Sequence, residues 1–229
     1  MTLSITVTQP PCVPYDIEAN AATHAATIRH AGTRLVVFPE LSLTGYALDA
    51  PAITLTDPRL TPIIEACAAT NTLALVGAPV QERIAMLAVN ATGATLAYSK
   101  IYLGGTEPEH FTPGTKPSIL NLDGWRLGLA ICKDTGVPQH SADTAALGID
   151  LYVAAVCELP EDVPVIDQRA RRIATTHHVP VAIASFAGPA GAPYNPAAGH
   201  SGFWTPEGTI IAQAGPDPGD MVTWSAPPS

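Results

Sequence analysis

Charge is scarce in this chain, and positive charge scarcest. Only 14% of its 229 residues are charged, and 11 Lys and Arg face 20 Asp and Glu, for a formal net charge of −9. An acidic surface without a basic cluster repels phosphate backbones, so no nucleic-acid partner is expected. No apolar run approaches the ~18 residues that would span a bilayer, so no membrane partner is expected either. The opening "MTLSITVTQPPC" has no basic segment ahead of an apolar one, as a secretory leader would, which points to the cytoplasm. Cysteines are few and scattered. Cys12, Cys67, Cys132 and Cys157 form no CxxC pair and no metal-ligand spacing, so reduced thiols are expected. The chain also lacks an HExxH pair, a glycine-rich phosphate loop, an internal repeat and a low-complexity stretch. No cofactor and no metal are implied.

What is present is apolar. At 47% hydrophobic content over 229 residues, a well-buried globular fold is expected, organised as one domain over 1–229. "LSITVTQP" alternates as a strand does and stops at Pro10. Asp16 to Ala31 is Ala-rich, opens on a capping Asp and ends at Gly32, the pattern of a helix. "RLVVFPE" reads as a buried strand, "DPRLTPIIEACAATN" as a helix and "LALVGAPV" as a strand. "RIAMLAVN" and "TLAYSK" flank the turn "ATGA", and "PSILNLDGWRLGLAICK" turns at "LDGW". A helix over 138–147, the strand "DLYVAAV" and the amphipathic helix "DVPVIDQRARRIATTHH" follow. Then come "VPVAIAS" and a pair of extended segments turning at "PEG". Gly188 to Gly199 reads as one long loop and "SAPPS" as a frayed tail. Helices alternating with apolar strands, with hairpins in the middle and at the end, predict a mixed α/β sandwich.

Three strand ends carry reactive groups. Glu40 follows "LVVF" and a proline, Lys100 follows "TLAYS", and Cys132 follows "LGLAI". Singly, each has an ordinary explanation: a solvated acid, a solvated base, a small packing residue. Together they supply a base, a cation and a nucleophile.

Those segments carry a resemblance. "LVVFPELSLTGY", "YSKIYLGGTEPEHFTPG" and "RLGLAICKD" resemble, in order, the three signature segments of the nitrilase superfamily, the carbon–nitrogen hydrolases, in an amidase-like branch. The likeness continues through "ALGIDLYVAAV", "RARRIATTHHVPVAIAS" and "GHSGFWTPEGTIIAQAG", so it spans nearly the whole chain. It implies a four-layer α-β-β-α sandwich with mixed sheets and a Glu40-Lys100-Cys132 triad. A free thiol titrates near ~8.5 and needs a base or cation to attack at neutral pH. Glu40 would take its proton, and Lys100 and the backbone N–H of Lys133 would receive the oxyanion. The family's second glutamate matches Glu107, with Glu109 as its competitor. The loop "CELPED" lies where relatives contact substrate, which nominates Cys157 and Glu158.

The substrate expected is a small linear amide, cleaved through a thioester on Cys132. The rival readings are a nitrile or N-carbamoyl substrate on the same scaffold, or a non-catalytic binding or assembly protein that retains it. Lys133 stands where many relatives have an aromatic or acidic residue, and "CKD" lacks the acidic neighbour common after the nitrilase cysteine, which favours amides over nitriles. His177 and His178 suit the end of a helix, and Ser201 in "GHSG" lacks the spacing of a nucleophile elbow. A homodimer is expected, partly from the resemblance and partly from the apolar content.

Overall fold

In the computed structural model, which describes residues 2–227, local chemistry sets most boundaries. The chain begins β1 (Leu3–Thr8), α1 (Ile17–Ala31), β2 (Leu35–Val37), α2 (Thr61–Thr70), β3 (Leu73–Val80), β4 (Arg83–Asn90) and β5 (Gly93–Ser99). It continues β6 (Ile119–Leu122), β7 (Trp125–Ile131), the one-turn α3 (Lys133–Gly136), α4 (Pro138–Ala145), β8 (Leu151–Val156) and α5 (Val163–His177). The last elements are β9 (Val181–Ser185), β10 (Ala187–Gly188), β11 (Ala197–Ala198), β12 (Gly202–Trp204), β13 (Ile210–Gln213) and β14 (Met221–Ala226). Asp16 caps α1 by accepting the Ala19 N–H, and Gly32 ends it in the left-handed region. The β6–β7 hairpin turns on Asp123 and Gly124, both at positive φ, as a type I′ turn requires.

Two six-stranded sheets form, ordered β14-β1-β2-β3-β4-β5 and β13-β12-β9-β8-β7-β6. In each, three central strands run parallel and the flanking strands antiparallel. Period-two alternation divides the first sheet's side chains between two clusters. Leu35, Val37, Leu73 and Leu75 face the second sheet, whereas Val36, Phe38, Ala74 and Val76 pack under α1 and α2. On the far side, Ile166, Ala170, Ile173 and Ala174 of α5 join the cluster that the sheets share. Each such Val, Leu, Ile or Phe side chain, fully buried, contributes roughly 1.5–3 kcal/mol. The mixed α/β sandwich is as expected.

Three details differ from the sequence reading. Residues 188–199 are not a plain loop, because β10 and β11 pair at its base. Ser225 and Ala226 are not frayed but pair with Ser4 and Leu3 in β1; Pro228 and Ser229 lie outside the described residues. α3 follows Cys132 directly, where only polar loop was expected. The first two are pairings with distant or tightly folded partners, which a local pattern does not reveal. No described helix is long and apolar enough to cross a membrane.

Candidate active site

Glu40 sits in a tight turn after β2 that presses on the backbone of β3. A Cβ on Gly77 would lie 2.4 Å from both the Pro39 carbonyl oxygen and the Leu41 nitrogen, so only glycine lets the turn close. Lys100 ends β5. Its N–H donates to the Ile84 carbonyl at 2.9 Å and its own carbonyl accepts from Gly114 N–H at 2.6 Å. Cys132 directly follows β7 at φ 42° and ψ −100°, a left-handed setting rare for a residue with a side chain. Holding it there costs about 1–3 kcal/mol, and such strain collects at functional sites. Its N–H is anchored to the Ala155 carbonyl of β8 at 2.9 Å.

These ends converge. The Lys100 ammonium donates to Glu40 Oε1 at 2.7 Å and to Glu107 Oε1 at 2.6 Å, all three side chains being nearly inaccessible to solvent. Glu107 also accepts from the Tyr46 hydroxyl at 2.6 Å and, through Oε2, from Gly104 N–H at 2.8 Å. Glu109, two residues on, is exposed. Of the two acids, Glu107 is therefore the one folded inward. Glu40 Oε2 is buried and, among the described residues, has no hydrogen-bond partner. The Cys132 sulfur lies 3.6 Å from Glu158 Oε1 and 3.8 Å from the Cys157 carbonyl oxygen. Arg169 of α5 holds Glu158 at 2.8 Å.

The charges shift one another. Burial pushes Glu40 up to about 8, against the pull of Lys100 and with the push of Glu107 and Glu158. Burial works against the Lys100 ammonium, yet Glu40, Cys132 and Glu107 outweigh it and hold the lysine above its ordinary value. Burial likewise lifts the Cys132 thiol well above its usual range, so the sulfur at rest keeps its proton. A carboxylate with a free oxygen and an affinity for protons near neutrality is suited to act as a base.

A cavity of ≈ 310 Å³ opens here, lined by Lys100, Glu107, Cys132, Lys133 and Glu158 of the expected residues. The Lys133 ammonium is tied to the Leu103 carbonyl at 2.7 Å. Cys157 is wholly buried and brings its carbonyl, rather than its thiol, to the sulfur of Cys132. The cavity also takes in Tyr46, Arg169 and Tyr194, none of which the sequence reading nominated. Tyr46 closes the very segment that holds Glu40, so its place was available as a signal. Arg169 and Tyr194 come from a distant helix and loop, and only folding brings them in. Ser201 braces the sheets instead: its hydroxyl accepts Ser185 N–H of β9 at 2.9 Å and its N–H donates to Gln9 Oε1, just beyond β1, at 2.7 Å. His178 ends α5 in the left-handed region and His177 contacts Ser141 at 3.1 Å, as helix-end residues. Among the described residues no group of His, Cys, Asp and Glu could hold a metal.

Fold and cavity together define an α/β sandwich protein with a thiol, buried carboxylates and an ammonium gathered at the strand ends of its two sheets. The carbon-nitrogen hydrolase family matches residues 4–225, and the chain belongs to it. A hydrolase in the pqqF 5′ region of Pseudomonas protegens is 29% identical over 231 residues, covering 94% of this chain and 80% of its own. An (R)-stereoselective amidase of a Pseudomonas species is 30% identical over 129 residues, covering 53% of this chain and 47% of the amidase. Among solved structures, Nit3 of Saccharomyces cerevisiae, from branch 10 of the nitrilase superfamily, aligns with a TM-score of 0.87 at 23% identity, covering 99% of this chain and 90% of Nit3. The chain is thus a hydrolase of carbon–nitrogen bonds on the nitrilase-superfamily fold.

Proposed function

We propose that this hydrolase cleaves a small linear amide, with Cys132 as nucleophile, Glu40 as base and Lys100 as oxyanion cation. The observation that carries this reading is the Lys100 ammonium bridging two buried carboxylates at 2.7 and 2.6 Å beside a cavity that Cys132 lines. Glu40 takes the thiol proton as sulfur attacks the amide carbon, and the carbonyl pair moves onto oxygen. Lys100 and the Lys133 N–H, which opens α3 without an intrahelical acceptor, receive that charge. Collapse breaks the C–N bond, and nitrogen leaves as ammonia or an amine with the proton returned from Glu40. Water deprotonated by Glu40 then attacks the thioester, releasing a carboxylic acid and the free thiol. Similarity to the stereoselective amidase over part of the chain supports an amide over a nitrile.

Ammonia release from matched small amides, nitriles and ureides tests the substrate class. The amide should turn over fastest, and a faster nitrile or ureide reverses the reading. All four thiols are pushed up by burial, Cys12 to about 12 and Cys67 to about 11. Selectivity must therefore come from the cavity and base, and iodoacetamide should label Cys132 first. Full turnover by Cys132→Ala, with another cysteine labelled first, overturns the assignment.

A further inference from the structure

One buried carboxylate outside the reacting group gathers backbone from both sides of it. Asp134 lies two residues after Cys132 and is wholly inaccessible to solvent. Its Oδ2 accepts the N–H of Ile131, the residue before the thiol, at 2.9 Å, and the Tyr98 hydroxyl at 2.8 Å. Its Oδ1 accepts the N–H of Tyr102 at 2.9 Å. Tyr98 and Tyr102 stand two residues either side of Lys100. A single side chain therefore grips the strand end that presents the cation and the strand end that presents the sulfur.

The grip is braced from behind. His140 Nε2 lies 2.8 Å from the Tyr98 oxygen, and its Nδ1 lies 3.0 Å from the Tyr152 hydroxyl. Proton counting orders the chain. Tyr98 spends its one proton on Asp134, so it accepts from His140 Nε2–H, and Nδ1 accepts from Tyr152. A neutral imidazole satisfies every group, and burial favours that form by lowering the His140 pKa. Four polar side chains in an apolar core are a poor way to gain stability, because hydrophobic side chains of like volume would do as well or better. What they add is geometry. β5 and β7 belong to different sheets and share no ladder hydrogen bonds, so nothing in either sheet's register fixes one strand end against the other.

We infer that Asp134 and Tyr98 are positioning residues that lock the ends of β5 and β7 together and so set the separation of Lys100 from Cys132. The inference rests on the roles proposed above for those two residues. A misplacement of about 1 Å at reacting groups costs on the order of 100-fold in rate, so the clamp acts on kcat although it touches no substrate.

Tyr98→Phe keeps the ring and removes both hydrogen bonds of the hydroxyl, the one given to Asp134 and the one taken from His140. On the amide that the native enzyme turns over best, kcat should fall about 10- to 100-fold while KM stays within about threefold, the signature of a group that acts in the transition state alone. The rate of Cys132 alkylation by iodoacetamide, measured without substrate, should fall too; Tm should also fall, because the buried His140 N–H loses its acceptor, so the kinetic readouts decide. Asp134→Asn should act in the same direction and more strongly; should it fail to fold, Tyr98→Phe still decides. An unchanged kcat and alkylation rate in Tyr98→Phe overturns the clamp, whether or not Tm moves. If native enzyme is not alkylated at Cys132 at all, the nucleophile assignment fails instead, so the two failures are distinguishable.

Discussion

Glu107 and Glu109 are two acids of one loop, and only their side-chain directions separate them. Glu107 is buried and takes bonds from Lys100, Tyr46 and Gly104 N–H, whereas Glu109 is exposed. A carboxylate beside Lys100 keeps that ammonium charged where burial alone would neutralise it. Glu107→Gln is nearly isosteric and so removes charge more than packing. It should lower kcat by at least ~100-fold, the scale of one placed catalytic group, with Tm barely moved. Glu109→Gln should keep kcat within a few-fold. Steady-state kinetics and thermal melts of the two variants check this, and exchanged behaviours would shift the assignment by two residues. Spacing in "TEPEHFTPG" nominated Glu107 without excluding its neighbour, because a sequence does not say which of two loop acids turns inward.

At the scale of elements, the Glu40 turn leans on α1. His24 of that helix is buried, stacked on Phe38 with ring centroids 4.0 Å apart. Its Nδ1–H donates to the Asn20 carbonyl at 2.6 Å, and its Nε2 accepts from the Ser42 hydroxyl at 2.9 Å. Ser42 in turn accepts Gly77 N–H at 3.2 Å, which pins the turn to β3. Burial, offset in part by the bond to Asn20, lowers the His24 pKa from 6.5 to about 4. Between those values the unfolded chain binds a proton that the native state refuses, so stability is present above pH 6.5 and is lost as pH falls towards 4. The loss should amount to about 3 kcal/mol. Urea unfolding across that range should show the slope in the native protein and a flatter one in His24→Gln. Equal slopes would mean that another group titrates. The helix itself was legible from its cap and its Gly32 stop. Its service to the turn was not, since that depends on which face α1 lays on the sheet.

For the whole molecule, we propose a homodimer, and its support is the high apolar content together with the frequency of two-fold contacts among closed assemblies. Light scattering at micromolar concentration should report twice the chain's mass, and a monomer alone would defeat the proposal. Joining the two sheets is a separate matter, settled within one chain. Gln9 beyond β1 accepts Ser201 N–H at 2.7 Å and donates to the Gly215 and Asp217 carbonyls at 3.1 and 2.9 Å. Together with the Asp134 grip, this ties the sheets at two places by polar side chains.

The sequence by itself determined what depends on neighbours along the chain. Alternation in "LSITVTQP", the apolar β-branched run of "RLVVFPE", the Asp16 cap and the Asp123-Gly124 turn state their structure locally, because strand pleat, helix ends and tight turns are governed by a few adjacent dihedrals. It also placed Glu40, Lys100 and Cys132 at three strand ends, the position from which a sandwich can present them. Tertiary structure decided the rest. Pairing β14 with β1 joins residues at opposite ends of the chain, and the inward turn of Glu107 and the approach of Arg169 and Tyr194 depend on packing between elements. The physical reason is the same in each case: these contacts depend on packing, ladder pairing and polar bonds that exist only once the chain has folded, and no local preference along the sequence selects them.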